Sequence, residues 1–174
     1  MSKDLDEDLL VVARVLLNLL TQHGWSLGTA ESLTGGMVGE AITAVPGASV
    51  SYMGGVISYT DREKTALLGV SAELLKQRGA VSAEVAEAMA QGCRERLDVQ
   101  VGLAATGVAG PASDDRSTPV GTVFVACATP RACAVERLML EGDRRHIRVK
   151  STRAALRLAI RLIETTPPRA EETT

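Results

Sequence analysis

Strands and helices are expected to alternate along this chain, in an α/β fold of three layers with helices on both faces of a central, mostly parallel or mixed sheet of about five strands. Two observations point there. Segments with apolar residues at helical spacing take turns with short apolar runs bounded by glycine, proline and hydroxyl residues. The 174 residues, 45% of them hydrophobic and with a net charge of −2, suffice for one well-buried core and are too few for two ordinary domains.

The elements follow in order. Leu5, Leu9, Val12, Leu16, Leu17 and Leu20 step by threes and fours, and His23-Gly24 supplies a stop, which predicts an amphipathic helix. Trp25 to Glu31 reads as a strand, Gly36 to Val45 as a helix, and Pro46-Gly47-Ala48-Ser49 as a loop. Tyr52 to Tyr59 reads as extended. Asp61 can cap a short helix through Leu68, a second covers Ala72 to Arg78, and Ser82 opens a stronger one through Leu97. Three further apolar runs, Val99 to Thr106, Thr122 to Ala128 and Ala134 to Leu140, are available to the sheet. Asp143 to Ile163 is rich in Arg, Leu and Ala at helical spacing. One domain over residues 1–166 and a polar tail over 167–174, opening on Pro167-Pro168, are expected.

Composition excludes several classes of function. The 19 basic residues are scattered and only 2% of residues are aromatic, so neither a basic stripe nor a stacking platform for nucleic acid is expected. Arg14 and Asn18 interrupt the longest apolar stretch near the N-terminus, Leu9 to Leu20, and acidic residues precede it. It reads as neither a signal peptide nor a membrane span. Cys93, Cys127 and Cys133 are an odd count without CxxC spacing, which suits a reducing, cytoplasmic setting. With only His23 and His146 beside them no metal-ligand spacing exists, and no cofactor is expected.

Three segments carry chemistry. In Thr29-Ala30-Glu31-Ser32-Leu33-Thr34-Gly35-Gly36 a serine stands where an apolar run ends and a glycine-opened helix begins. Free N–H groups and the positive end of a helix there would stabilise an oxyanion formed by attack of Ser32 on a carbonyl, although a serine there also suits a plain N-cap. In the second segment, Gly54 to Lys64, Tyr59 at a strand end and Lys64 on the next helical turn can point over one sheet edge. Fifteen arginines stand against four lysines, and arginine does not surrender its proton, so a cationic side chain serving as base has to be lysine. Such a lysine needs desolvation, while Asp61 and Glu63 would oppose it, and a solvated helix lysine is the competing reading. The third segment, Ala105-Thr106-Gly107-Val108-Ala109-Gly110-Pro111, follows a strand, and its glycines let N–H groups converge on an anion, with Thr106 adding a hydroxyl. It matches no phosphate-loop pattern, so an ordinary tight turn fits as well. Arg144 and Arg145, after Gly142-Asp143, are candidates for a phosphate clamp.

Ala30 to Gly36, Tyr59 to Lys64, Thr106 to Pro111, Pro119-Val120-Gly121-Thr122 and Gly142-Asp143-Arg144 together resemble, in their order, the CinA C-terminal domain family, over roughly Leu9 to Ile163. Within that family the chain is similar to stand-alone nicotinamide-nucleotide amidases, which convert nicotinamide mononucleotide to the acid and ammonia. The resemblance implies Ser32 as nucleophile, Lys64 as its base and Tyr59 as a second proton-handling or orienting group. It implies oxyanion donors in the Ser32 to Gly36 turn and a pyridine-mononucleotide site. That site is expected to involve Glu31, Thr34, Gly35, Gly36, Thr106, Gly107, Ala109, Gly110, Arg144 and Arg145. It further implies self-association, a dimer being expected, without the additional nucleotide-binding domain of the complete CinA protein. Leu33 stands where the family often has cysteine, and Ala112-Ser113-Asp114-Asp115 lacks glycines common there. The competing reading is a catalytically silent nucleotide-binding or protein-interaction module. A Ser-His-Asp triad would have to draw on His23 or His146.

Overall fold

Leucine spacing shapes the first helix as the sequence predicts. In the computed structural model α1 (Ser2–His23) buries Leu9, Val12, Ala13, Leu16, Leu17 and Leu20 and turns Val11 and Val15 outward. The structure describes residues 2–166, with side chains from Asp8 onward; Leu5's side chain and the expected tail at 167–174 lie outside them. Gly24, at φ +60°, ends the helix in a conformation that other residues adopt at a cost.

The remaining elements keep the expected order with small shifts of boundary. They are β1 (Leu27–Glu31), α2 (Met37–Thr43), β2 (Tyr52–Ile57), α3 (Asp61–Leu68), α4 (Ala72–Arg78), α5 (Ala83–Arg96), β3 (Val101–Gly107), β4 (Thr122–Ala128), β5 (Cys133–Met139) and α6 (Arg144–Glu164). Caps fix the helix starts: Ser71, Ser82 and Asp143 accept N–H bonds from Leu74, Val85 and His146. For α3 the cap is Thr60 and not Asp61. Thr60 keeps an extended backbone and its hydroxyl accepts from the Glu63 N–H, which leaves Asp61 inside the first turn, near the positive end of the helix.

The sheet runs β2-β1-β3-β4-β5. β1 pairs in parallel with β2 and β3, whereas β3–β4 and β4–β5 are antiparallel, so the sheet is mixed. Alternation along the central strands splits the core in two. Leu27, Val101, Leu103, Val123 and Val125 face α1, α2 and α6, while Ala30, Ala104, Ala126 and Ala128 face the layer of α5, Leu68 of α3 and Leu75 of α4. The small residues on the second face let α5 approach closely. A Cβ added at Gly102 would sit 2.0 Å from the Ala90 carbonyl oxygen of that helix. No helix among the described residues is long and apolar enough to cross a membrane.

This topology sets the site. From β1 the chain goes out to β2 on one side, then returns across to β3 on the other, so the loops leaving these three parallel strands diverge at their C-terminal ends. A crevice opens there.

Candidate active site

Ser32 is the first residue beyond β1, Ser58 the first beyond β2, and the ladder continues up to them: Ser58 N–H donates to Glu31 O and Ser32 N–H to Ala105 O. Tyr59 and Thr60 then turn the chain into α3, whose first turns carry Lys64 back over the strand ends. Lys64 is 1% exposed, and its Nζ lies 3.2 Å from Ser32 Oγ, 3.0 Å from Ser58 O and 3.5 Å from Tyr59 O. The solvated helix lysine is thereby overturned.

Burial depresses the Lys64 pKa below its ordinary 10.5, and Asp61 opposes this more weakly. The partners also suit a neutral amine. As an ammonium it donates to all three oxygens; once neutral it keeps two N–H bonds for the carbonyls of Ser58 and Tyr59, which only accept, and can turn its lone pair to the Ser32 hydroxyl.

The turn after Ser32 differs from expectation in which donors it leaves open. Glu31, 2% exposed, accepts N–H bonds from Gly36 at 2.9 Å, Val38 at 3.1 Å and Gly39 at 2.9 Å. Gly35 N–H donates to Ser32 O, and Met37 N–H to Thr34 O. The donors expected at Gly35 and Gly36 are therefore occupied, and the Glu31 carboxylate serves as an internal cap of α2. Ser32 is not a cap either, since Gly36 holds that position at φ 97°. Among the described residues, the turn N–H groups without a hydrogen-bond partner belong to Leu33 and Thr34. Thr34 is wholly buried, its hydroxyl unpaired.

A cleft of about 220 Å³ opens over this pair, lined by Ser32, Leu33, Tyr59, Asp61, Lys64, Ala80, Val81, Thr106, Gly107, Ala109, Asp114 and Arg144. The Tyr59 side chain is exposed, and its hydroxyl accepts from Arg144 Nη2 at 3.2 Å rather than meeting Ser32 or Lys64. Arg144 Nη1 also donates to Gly110 O at 2.7 Å, so the guanidinium ties two loops at the cleft mouth. Thr106 lines the cleft, but its hydroxyl donates to Ala80 O at 2.8 Å and so holds the α4–α5 connection. Arg145 does not join the cleft. It lines a separate groove with Leu9, Leu10, Met37, Glu40, Ala41 and Ala44, because consecutive helix residues point about 100° apart. His23 bonds Leu19 O and packs at a tilt against Trp25, and His146 pairs with Asp143; neither touches Ser32.

Three residues went unread in the sequence. Asp114 reaches the cleft while accepting N–H bonds from Arg116 and Thr118. Ser58 offers a carbonyl, which no side-chain pattern reveals. Arg148 binds the carbonyls of Leu33 and Thr34, and its place one helical turn after Arg144 was the available signal.

Fold and site together define a three-layer α/β protein that sets a serine against a buried lysine where parallel strands end. The profile of the CinA C-terminal domain matches residues 10–163, and the chain belongs to that family. It is 43% identical over 150 residues to a CinA-like protein of Geotalea daltonii, across 86% of this chain and 36% of that protein. The chain thus spans about a third of the length of the curated relatives it matches. Among solved structures, competence damage-inducible protein A of Klebsiella pneumoniae superposes with a TM-score of 0.89 at 29% identity, covering 91% of this chain and 99% of that one. The competence/damage inducible protein CihA of Agrobacterium tumefaciens gives 0.86 at 34% identity, covering 89% and 95%.

Proposed function

We propose that the chain is a metal-free amidohydrolase that converts nicotinamide mononucleotide to nicotinate mononucleotide and ammonia. The observation that carries this reading is the 3.2 Å contact between Ser32 Oγ and a lysine amine that is 1% exposed. Neutral Lys64 takes the Ser32 proton as Oγ attacks the carboxamide carbon. The carbonyl oxygen becomes an oxyanion beside the free N–H groups of Leu33 and Thr34. Collapse breaks the C–N bond, Lys64 returns the proton to the departing amine, and an acyl-serine and ammonia result. Water, deprotonated by the same amine, then attacks the ester; Ser32 regains its proton and the carboxylate leaves. Tyr59 and Arg144 work at the rim, where the N–H groups Arg144 has left over suit a phosphate.

Purified protein incubated with nicotinamide mononucleotide is expected to release ammonia, and Ser32→Ala to abolish release while circular dichroism stays unchanged. Near-normal turnover by Ser32→Ala removes the nucleophile assignment. Binding without turnover by the wild type overturns the amidase reading in favour of a silent nucleotide-binding module. Self-association belongs to the same reading and is supported by exposed Met53 and Ile57 on edge strand β2 and Val50 just before it. A monomer mass in sedimentation at assay concentration counts against it.

A further inference from the structure

The turn after Ser32 is gripped from behind. Arg148, half-buried on α6, donates from Nε to Leu33 O at 3.0 Å and from Nη2 to Thr34 O at 2.6 Å. These are consecutive carbonyls, and a planar guanidinium presents two parallel N–H groups at a matching spacing, which a lysine ammonium does not. Gly110-Pro111 is the one cis peptide among the described residues, so the Leu33–Thr34 bond is trans. In a trans peptide the C=O and N–H point in opposite directions. Fixing Leu33 O against α6 therefore fixes the Thr34 N–H away from α6, on a turn whose Ser32 and Leu33 line the cleft while Arg148 does not.

Leaving the N–H groups of Leu33 and Thr34 free has a structural cost that the neighbourhood is organised to bear. Glu31 holds the following N–H groups, Gly35 N–H closes back on Ser32 O, and Arg148 satisfies the Leu33 carbonyl, which the turn would otherwise leave unpaired, and adds a second donor to Thr34 O beside Met37 N–H. The guanidinium charge also polarises the Leu33–Thr34 peptide, so that its free Thr34 N–H becomes a better donor.

We propose that Arg148 is a positioning residue for the oxyanion: by holding the Leu33 and Thr34 carbonyls it keeps the free N–H groups of this turn in place beside Ser32 Oγ. It touches no reacting atom. The inference rests on the amidase reading and extends it. An unheld turn drifts by a fraction of an ångström to an ångström, and a misplacement of that size reduces turnover by on the order of 10²-fold.

The test measures ammonia release from nicotinamide mononucleotide, and separately acylation of Ser32 by p-nitrophenyl acetate, in wild type, Arg148→Met, Arg148→Lys and Arg148→Ala. Arg148→Met is expected to lower kcat and the acylation rate by roughly 10²-fold with KM nearly unchanged, since the ground state does not use the donors. Arg148→Lys, able to reach one carbonyl, falls between, and guanidinium ion at non-denaturing concentration restores part of the Arg148→Ala rate. A wild-type kcat in Arg148→Met, or a loss confined to KM, overturns the proposal. Where Arg148→Met fails to fold, Arg148→Lys decides: an undiminished kcat refutes it. A wild type that is acylated without releasing ammonia refutes the nicotinamide mononucleotide assignment and leaves the acylation comparison to decide on Arg148. A wild type inert in both assays refutes the two together.

Discussion

The proposed mechanism turns on the proton state of one side chain, because Lys64 can serve as a base only without its proton. Burial lowers its pKa below 10.5, so the neutral fraction, and with it kcat/KM, is expected to rise with pH and level off below that value. Lys64→Arg keeps the charge and loses the base; ammonia release above background by that variant would contradict the assignment. The same shift fixes a sign for stability. Between the folded pKa and 10.5 the unfolded chain binds more protons than the folded one, so this residue's contribution to stability rises with pH there, and below that window the buried ammonium is a standing cost. Tm measured for wild type and Lys64→Met across alkaline pH is expected to show the wild type gaining on the variant, and parallel curves would refute the shift. Residue type was legible here: four lysines, and only Lys64 follows a tyrosine at a strand end. Its environment was not, since Asp61, Arg62 and Glu63 dress the segment as a solvated turn, and the carbonyls of Ser58 and Tyr59 that receive the amine belong to the backbone, which has no letter of its own.

Among the elements, α2 shows how an acidic side chain does what a serine cap does elsewhere. Glu31 ends β1 facing the α2 layer and receives three N–H groups from the next helix, joining the strand to the helix start and stiffening the intervening turn. Glu31→Gln replaces an acceptor oxygen with a donor against those N–H groups. It is expected to cost about 1–3 kcal/mol in urea denaturation and to lower turnover as the Leu33–Thr34 turn loosens; an unchanged midpoint would show that the cap is dispensable. Helix and strand periodicity, Gly24 and the caps at Ser82 and Asp143 were all legible, because hydrophobic spacing and capping are local. The choice between Thr60 and Asp61 as cap turned on a backbone angle. The assignment of N–H donors turned on a carboxylate reaching five to eight residues ahead, and propensity carries no record of either.

At the scale of the whole molecule, alternation along the chain gave the layers, but the order of strands depended on crossings that no segment encodes alone. The two apolar layers each hold a sequestered thiol: Cys127 among the α1, α2 and α6 contacts, Cys93 on the buried face of α5, both fully buried and both pushed up by that burial, Cys93 to about 12. Cys133 is exposed on β5. Iodoacetamide at neutral pH is expected to modify Cys133 first and the other two together, in step with global unfolding; separate rates for Cys93 and Cys127 would mean that the layers open independently. One further consequence comes from the ladder in which Ala30 faces Val56, Glu31 faces Ile57 and Glu31 O meets Ser58 N–H. Ser32 and Lys64, the proposed nucleophile and base, are held together by that hydrogen-bonded seam, not by the covalent path through exposed Pro46 and Gly47. Severing the chain between those two residues is then expected to leave two fragments that reassemble on mixing and recover the ammonia release proposed for the intact chain.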